Sequence, residues 1–152
     1  MKNKRLYARA LKLLGLKSRS EAELREKICG DAEEEEVDEV IEECKRHRYL
    51  DDRALAEYIV DSSLKKNKGY WYIVSALEKR NIREDIIEEV KDSFDFETEF
   101  KKAEEFVCKN REKKSISSLF FSLKSKGFSS PVLSRIKQRY LKRGSKQQQK
   151  GE

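Results

Sequence analysis

Apolar residues recur along this chain at intervals of three and four, and long apolar runs are absent. Leu6, Ala10, Leu11 and Leu14 share one face of a helix predicted from about Lys4 to Leu16. Two overlapping Ser-x-x-Glu capping signals follow, Ser18 to Glu21 and Ser20 to Glu23, and announce a short second helix with Leu24 and Ile28 inward. A third helix carries Val37, Val40, Ile41 and Cys44 on one stripe. Its glutamate-rich first turn matches the helix dipole, and Lys45, Arg46 and Arg48 suit its C-terminal end.

The pattern then begins again. A helix over 51–66 buries Ala56, Ile59 and Ser63, and the next two place Ile73, Ala76 and Leu77, then Ile86, Ile87 and Val90, inward. A third round offers Phe96, Phe100, Ala103, Phe106 and Val107, then Leu119, Phe120 and Leu123. The last helix is expected to start with Ser130 as its cap and Pro131 at the favoured first position. These blocks superpose at an offset of 46 residues. Val40-Ile41 maps to Ile86-Ile87 and then to Val132-Leu133, Leu77 to Leu123, and Ile82 to Phe128. The reading is three tandem three-helix repeats, at 1–48, 49–95 and 96–143, with a basic low-complexity tail over 144–152 expected to be disordered.

Units this small are near the lower limit for folding alone. They are expected to stack end to end into an elongated, curved rod that offers a long surface rather than a pocket. Composition points the same way. Of 152 residues, 37% are hydrophobic and 42% charged, too few apolar side chains for one round core, and a single proline leaves helices uninterrupted. The fold class is all-α.

Charge is segregated beneath a net +6. Residues 1–28 carry nine Lys/Arg against three Glu, residues 29–44 carry nine acids and no base, and residues 101–152 carry fifteen Lys/Arg against four Glu. Such a chain suits a polyanion or a partner with its own charge pattern. No apolar run is long enough to span a bilayer, and the basic N-terminal stretch is interrupted by Arg9 and Lys12, unlike a signal peptide. Three cysteines without a C-x-x-C pair, and one histidine, argue against a disulfide framework or a zinc site. They fit a cytoplasmic location.

Asp51 and Asp52 are the residues most open to a catalytic reading. Asp51 as an N-cap puts Leu50 and Leu55 in the positions of a hydrophobic staple, and Asp52 adds negative charge to the first turn. A carboxylate pair that worked chemically would need convergent partners, and His47 supplies none. Phosphate-binding glycine loops, a nucleophile elbow and metal-ligand spacings are all missing, so neither an enzyme nor a cofactor is expected.

The candidate contacts are therefore surface residues. Lys65, Lys66 and Lys68 adjoin Tyr70, Trp71 and Tyr72; further bases group at Lys79, Arg80 and Arg83, at Lys124 and Lys126, and at Arg135, Lys137 and Arg139. They suit phosphates or an acidic protein groove equally well. Trp71 reads either as an interface or stacking residue, or as the filler of a seam between adjacent units.

Three segments in series resemble the RecX regulatory proteins: SRSEAELREKI (18–28), YLDDRALA (49–56) and KGYWYIVSALEKRNI (68–82), with a second KGF at 126–128. The resemblance covers about residues 5–143. Arg48 and Asn81 stand where that family tends to have glycine, and Leu55 where it has phenylalanine. The resemblance implies a modulator of the RecA recombinase that lies in the groove of RecA–DNA filaments. It would suppress ATP hydrolysis, strand exchange and co-protease activity. The implied partner is the RecA filament, with single- or double-stranded DNA as a further contact, no membrane, and a monomeric protein. The competing reading is a sequence-tolerant DNA-binding protein built of helix-turn-helix-like units.

Overall fold

The computed structural model describes residues 2–30 and 32–141, and the tail expected at 144–152 lies outside them. Among the described residues all regular structure is helical: α1 (Lys4–Leu16), α2 (Glu21–Ile28), α3 (Glu34–Arg46), α4 (Asp52–Lys65), α5 (Tyr70–Lys79), α6 (Glu84–Asp92), α7 (Phe96–Asn110), α8 (Ile116–Ser125) and α9 (Ser130–Ile136). The last runs on into a π-helical turn over Lys137–Leu141. No helix among the described residues is long and apolar enough to cross a membrane.

Short polar side chains start these helices by accepting N–H groups that the helix itself cannot satisfy. Asn3 receives Leu6, Asp95 receives Glu97 and Thr98, and Ser115 receives Ser118. Of the two overlapping signals before α2, Ser20–Glu23 forms the capping box, with both reciprocal bonds present.

The chain divides into two compact units. One comprises the described part of Met1–Ile59 together with Ala76–Lys91, the other Val60–Ser75 with the described part of Asp92–Glu152. The divisions fall within α4, within α5 and at the last residue of α6. In the first unit α1 packs on α2 and α3 around Leu6, Ala10, Leu24, Ile28, Val40, Ile41 and Cys44. In the second, α7 packs on α8 and α9 around Phe100, Ala103, Leu119, Leu123, Phe128 and Val132. The positions 46 residues apart are core on both sides: Leu77 and Leu123 are fully buried, as are Ile82 and Phe128 to within a few per cent.

Three expectations change. Leu11 is exposed, and Leu13 and Leu14 pack against the core instead, because the inward stripe of α1 runs 6, 10, 13, 14. Phe96, expected inward, is 40% exposed and joins an aromatic cluster described below. The N-cap of α9 is Ser129, not Ser130, which moves Pro131 one place inward. Asp52 stands in the first turn of α4, as expected, and is buried there.

Candidate functional site

Asp51 and Asp52 are helix-starting residues in the structure. Asp51 Oδ1 accepts the Ala54 N–H at 3.1 Å, and Leu50 and Leu55 on either side are buried as a staple requires. Asp52 reaches away from its own helix and accepts the Glu21 N–H of α2 at 2.9 Å through Oδ1. Its Oδ2 has no hydrogen-bond partner among the described residues. Burial raises its pKa above the ordinary carboxylate value, outweighing the Glu21 and Arg83 main-chain N–H groups. Among the described residues no group of three or more His, Cys, Asp and Glu is placed to hold a metal ion.

The bases singled out from the sequence separate into two kinds. Four arginines are held by carboxylates of the same chain. Arg80 is forked onto Glu23, at 3.1 Å through Nε, and donates to the Ser18 carbonyl at 2.7 Å. Arg83 pairs with Asp85, and Arg139 with Glu104. Arg135 pairs with Glu97 at 2.6 Å while its guanidinium lies 3.8 Å from the Phe100 ring centre. Lys65, Lys66, Lys79, Lys124 and Lys137 are exposed and make no ion pair among the described residues.

Lys68 and Lys126 are brought together in the second compact unit. Two main-chain bonds hold their segments: Gly69 N–H to the Lys126 carbonyl at 3.1 Å and Trp71 N–H to the Gly127 carbonyl at 2.8 Å. The approach is so close that a Cβ on Gly69 would lie 2.4 Å from Phe128 Cα. Gly127, with φ +86°, faces the Tyr72 backbone just as tightly. Lys68 Nζ sits 5.1 Å from the Tyr72 ring centre and Lys126 Nζ 5.0 Å from that of Phe106. The pKa of Lys126 is lowered, first by burial and then by repulsion from Lys68 and Lys114. Lys114 was not among the sequence candidates; it lies in the turn after α7, and folding brings it near enough to Lys126 to act on its charge. These three lysines form no salt bridge among the described residues. Three like charges held together without a counter-charge attract an anion.

Beside them lies an aromatic cluster. Tyr70 meets Trp71 and Phe94 edge-on, at 4.9 and 5.1 Å between ring centres, and Phe94 meets Phe96 at 5.1 Å. Trp71 is 58% exposed.

The fold and this surface define a class: an all-α protein of tandem three-helix units whose most distinctive exposed chemistry is cationic and aromatic. A family model described as RecX, first three-helix domain, matches residues 7–44, the span of α1 to α3. The regulatory protein RecX of Clostridioides difficile (strain 630) is 30% identical over 141 residues, covering 88% of this chain and 66% of that protein. The RecX protein of Pelodictyon phaeoclathratiforme (strain DSM 5477 / BU-1) is 39% identical over 88 residues, 57% of this chain and 55% of its own length. A crystal structure of RecX from Lactobacillus salivarius superposes with a TM-score of 0.74 at 24% identity, over 89% of this chain and 94% of that one. A second crystal structure, of regulatory protein RecX, gives 0.70 at 26%, over 88% and 72%. The chain belongs to the RecX family. It spans 66% and 55% of the lengths of the two curated relatives.

Proposed function

We propose that this chain regulates the RecA recombinase in the bacterial cytoplasm without catalysing a reaction itself. As a monomer it would lie in the groove of the RecA–DNA filament and lower ATP hydrolysis, strand exchange and co-protease activity. Family membership supports the regulatory part of this reading. The observation that carries the contact is the cluster of Lys68, Lys114 and Lys126 beside exposed Trp71 and Tyr72. Such a cluster matches a polyanionic filament, whose contacts weaken as salt screens them. The arginines already committed to internal carboxylates are poorer candidates, because recruiting them would break pairs within the fold.

The test is a DNA-dependent ATPase assay with cognate RecA at two salt concentrations. Substoichiometric wild-type protein should slow hydrolysis, less so at higher salt. Lys68→Glu with Lys126→Glu should weaken inhibition by about tenfold, as the loss of two charge contacts usually does. Wild-type protein that leaves hydrolysis and filament lifetime unchanged sinks the proposal. Tighter binding to bare duplex than to RecA-coated single strands would replace it with the DNA-binding reading.

A further inference from the structure

A second surface, wholly within the first compact unit, has a different chemistry. A groove of about 270 Å³ runs beside the turn from α3 to α4, lined by Arg19, Arg48, Tyr49, Asp51, Leu55 and Tyr58. Tyr49 is 51% exposed and Tyr58 68%. Arg48 is exposed and forms no ion pair among the described residues. It also lines the neighbouring cleft of about 380 Å³ with Lys45, Arg53 and Arg83.

Arg48 stands at φ +59°, the left-handed conformation that a Cβ disfavours and glycine adopts freely. The turn bonds there are main-chain ones, Arg48 N–H to the Lys45 carbonyl at 2.9 Å and Tyr49 N–H to the Cys44 carbonyl at 2.9 Å, so a glycine would keep them. A long cationic side chain is thus carried at a backbone cost the turn does not require. Residues held this way concentrate where a side chain has a task.

We infer that this groove binds an acidic peptide segment of a protein partner, with Arg48 on its carboxylates, Arg19 (its Nε on the Leu13 carbonyl) adding positive charge at the edge, and Tyr49 and Tyr58 on its apolar side chains. Unpaired arginine with exposed tyrosine is the composition of protein-binding hot spots. The groove differs from the lysine cluster in one decisive respect: it includes the Asp51 carboxylate, with Asp52 and Glu21 lining the adjoining cleft. A continuous phosphate backbone would be repelled there, whereas a peptide can set its carboxylates on Arg48 and its own donors opposite the acids. The inference rests on the regulator reading only in supposing that the partner is a protein.

The experiment measures fluorescence anisotropy with two labelled probes, an octapeptide of alternating glutamate and leucine and a single-stranded oligothymidine. Arg48→Gly should melt no lower than wild type, because it relieves the backbone, yet weaken the peptide by at least about fivefold and leave the oligonucleotide unchanged. Tyr58→Ala, at an exposed position, should do the same to the peptide. Lys68→Glu with Lys126→Glu should show the converse. Failure of the wild type to bind the peptide, unchanged peptide affinity in Arg48→Gly, or equal loss for both probes overturns the inference. The ATPase assay above reports separately on RecA as the target, so the two readings fail independently.

Discussion

Helix α2 begins at a serine that caps it, whereas α5 begins at a glycine that has no side chain to offer. At α2, Ser20 Oγ accepts the Glu23 N–H at 3.1 Å and Glu23 returns the bond to the Ser20 N–H at 2.8 Å. Arg80 then closes over Glu23 from outside. At α5 the same orphan donors are met from elsewhere: Gly69 and Trp71 by carbonyls at the end of α8, and Tyr70 by Glu99 of α7 at 2.7 Å. One start is local and self-sufficient. The other exists only once α7 and α8 are in place, and that dependence ties the second unit together.

Each start also receives a carboxylate from the first helix of the following repeat, Asp52 for α2 and Glu99 for α5. Here too the two differ. Glu99 is fully buried and takes three donors, the Tyr70 and Ser129 N–H groups on Oε2 and the Ser129 hydroxyl on Oε1 at 2.5 Å. Asp52 takes one full hydrogen bond, from the Glu21 N–H, and has the Arg83 N–H only nearby, short of a full bond to Oδ2. The cause is legible in the repeat: Ser129 lies 46 residues after Arg83, and arginine has no short hydroxyl to fill that place. The same commitment of Ser129 Oγ to Glu99 explains why that serine starts α9 without capping it by its side chain.

The sharpest way to break this comparison is to remove the two carboxylates in turn. Glu99→Ala should destabilise by about 3 kcal/mol or more, since it strands three donors in a buried place, each worth ~1–3 kcal/mol when unpaired. Asp52→Ala strands one fully bonded donor, the Glu21 N–H, and should cost about 1–2 kcal/mol. Urea titrations of both variants give the ranking. Equal losses would mean that the number of donors does not set the effect.

A smaller contrast lies at the caps themselves. Gly69→Ala should cost about 1–3 kcal/mol, the range for overpacking, because its Cβ would meet main chain that cannot swing aside. Ser20→Ala should cost about 1 kcal/mol, the usual loss of a cap. Thermal melting separates them. A neutral Gly69→Ala would show that the α5–α8 contact yields easily.

Much of this architecture could be read from the chain, and the reasons it could are local. Capping serines and aspartates, apolar stripes and the 46-residue offset act over a few residues or repeat identically, so Asp51, Leu77 and Leu123 follow from the chain, and Ser20 was one of two caps it offered. The contacts of Asp52 and Glu99 could not be read, because their partners lie about 30 residues away and no short-range pattern marks them. The candidate surface was legible as composition but not as geometry. Sequence treats Arg80, Arg135 and Lys126 as equal cations, yet the first two are neutralised by Glu23 and Glu97 while Lys126 stays uncompensated beside Lys68 and Lys114.

The finest test of the Asp52–Glu99 contrast uses pH. Burial raises the Asp52 pKa above its value in the unfolded chain, about 3.9. The native chain therefore holds that proton more tightly than the unfolded one. Asp52 favours folding most below its unfolded value, and the advantage is lost as pH rises through its native value. As pH rises, the ionised carboxylate is favoured in solvent more than in its buried place. Asp52→Asn keeps an acceptor for the Glu21 N–H and removes the charge. It should be at least as stable as wild type at pH 7, and this relative gain should shrink as pH falls toward 4. Denaturant titrations of the two proteins across that window measure the difference directly. If the asparagine variant is instead destabilised at pH 7 as much as Asp52→Ala, and without a pH trend, the ionised carboxylate is satisfied after all. Asp52 would then be a counterpart of Glu99 rather than its contrast.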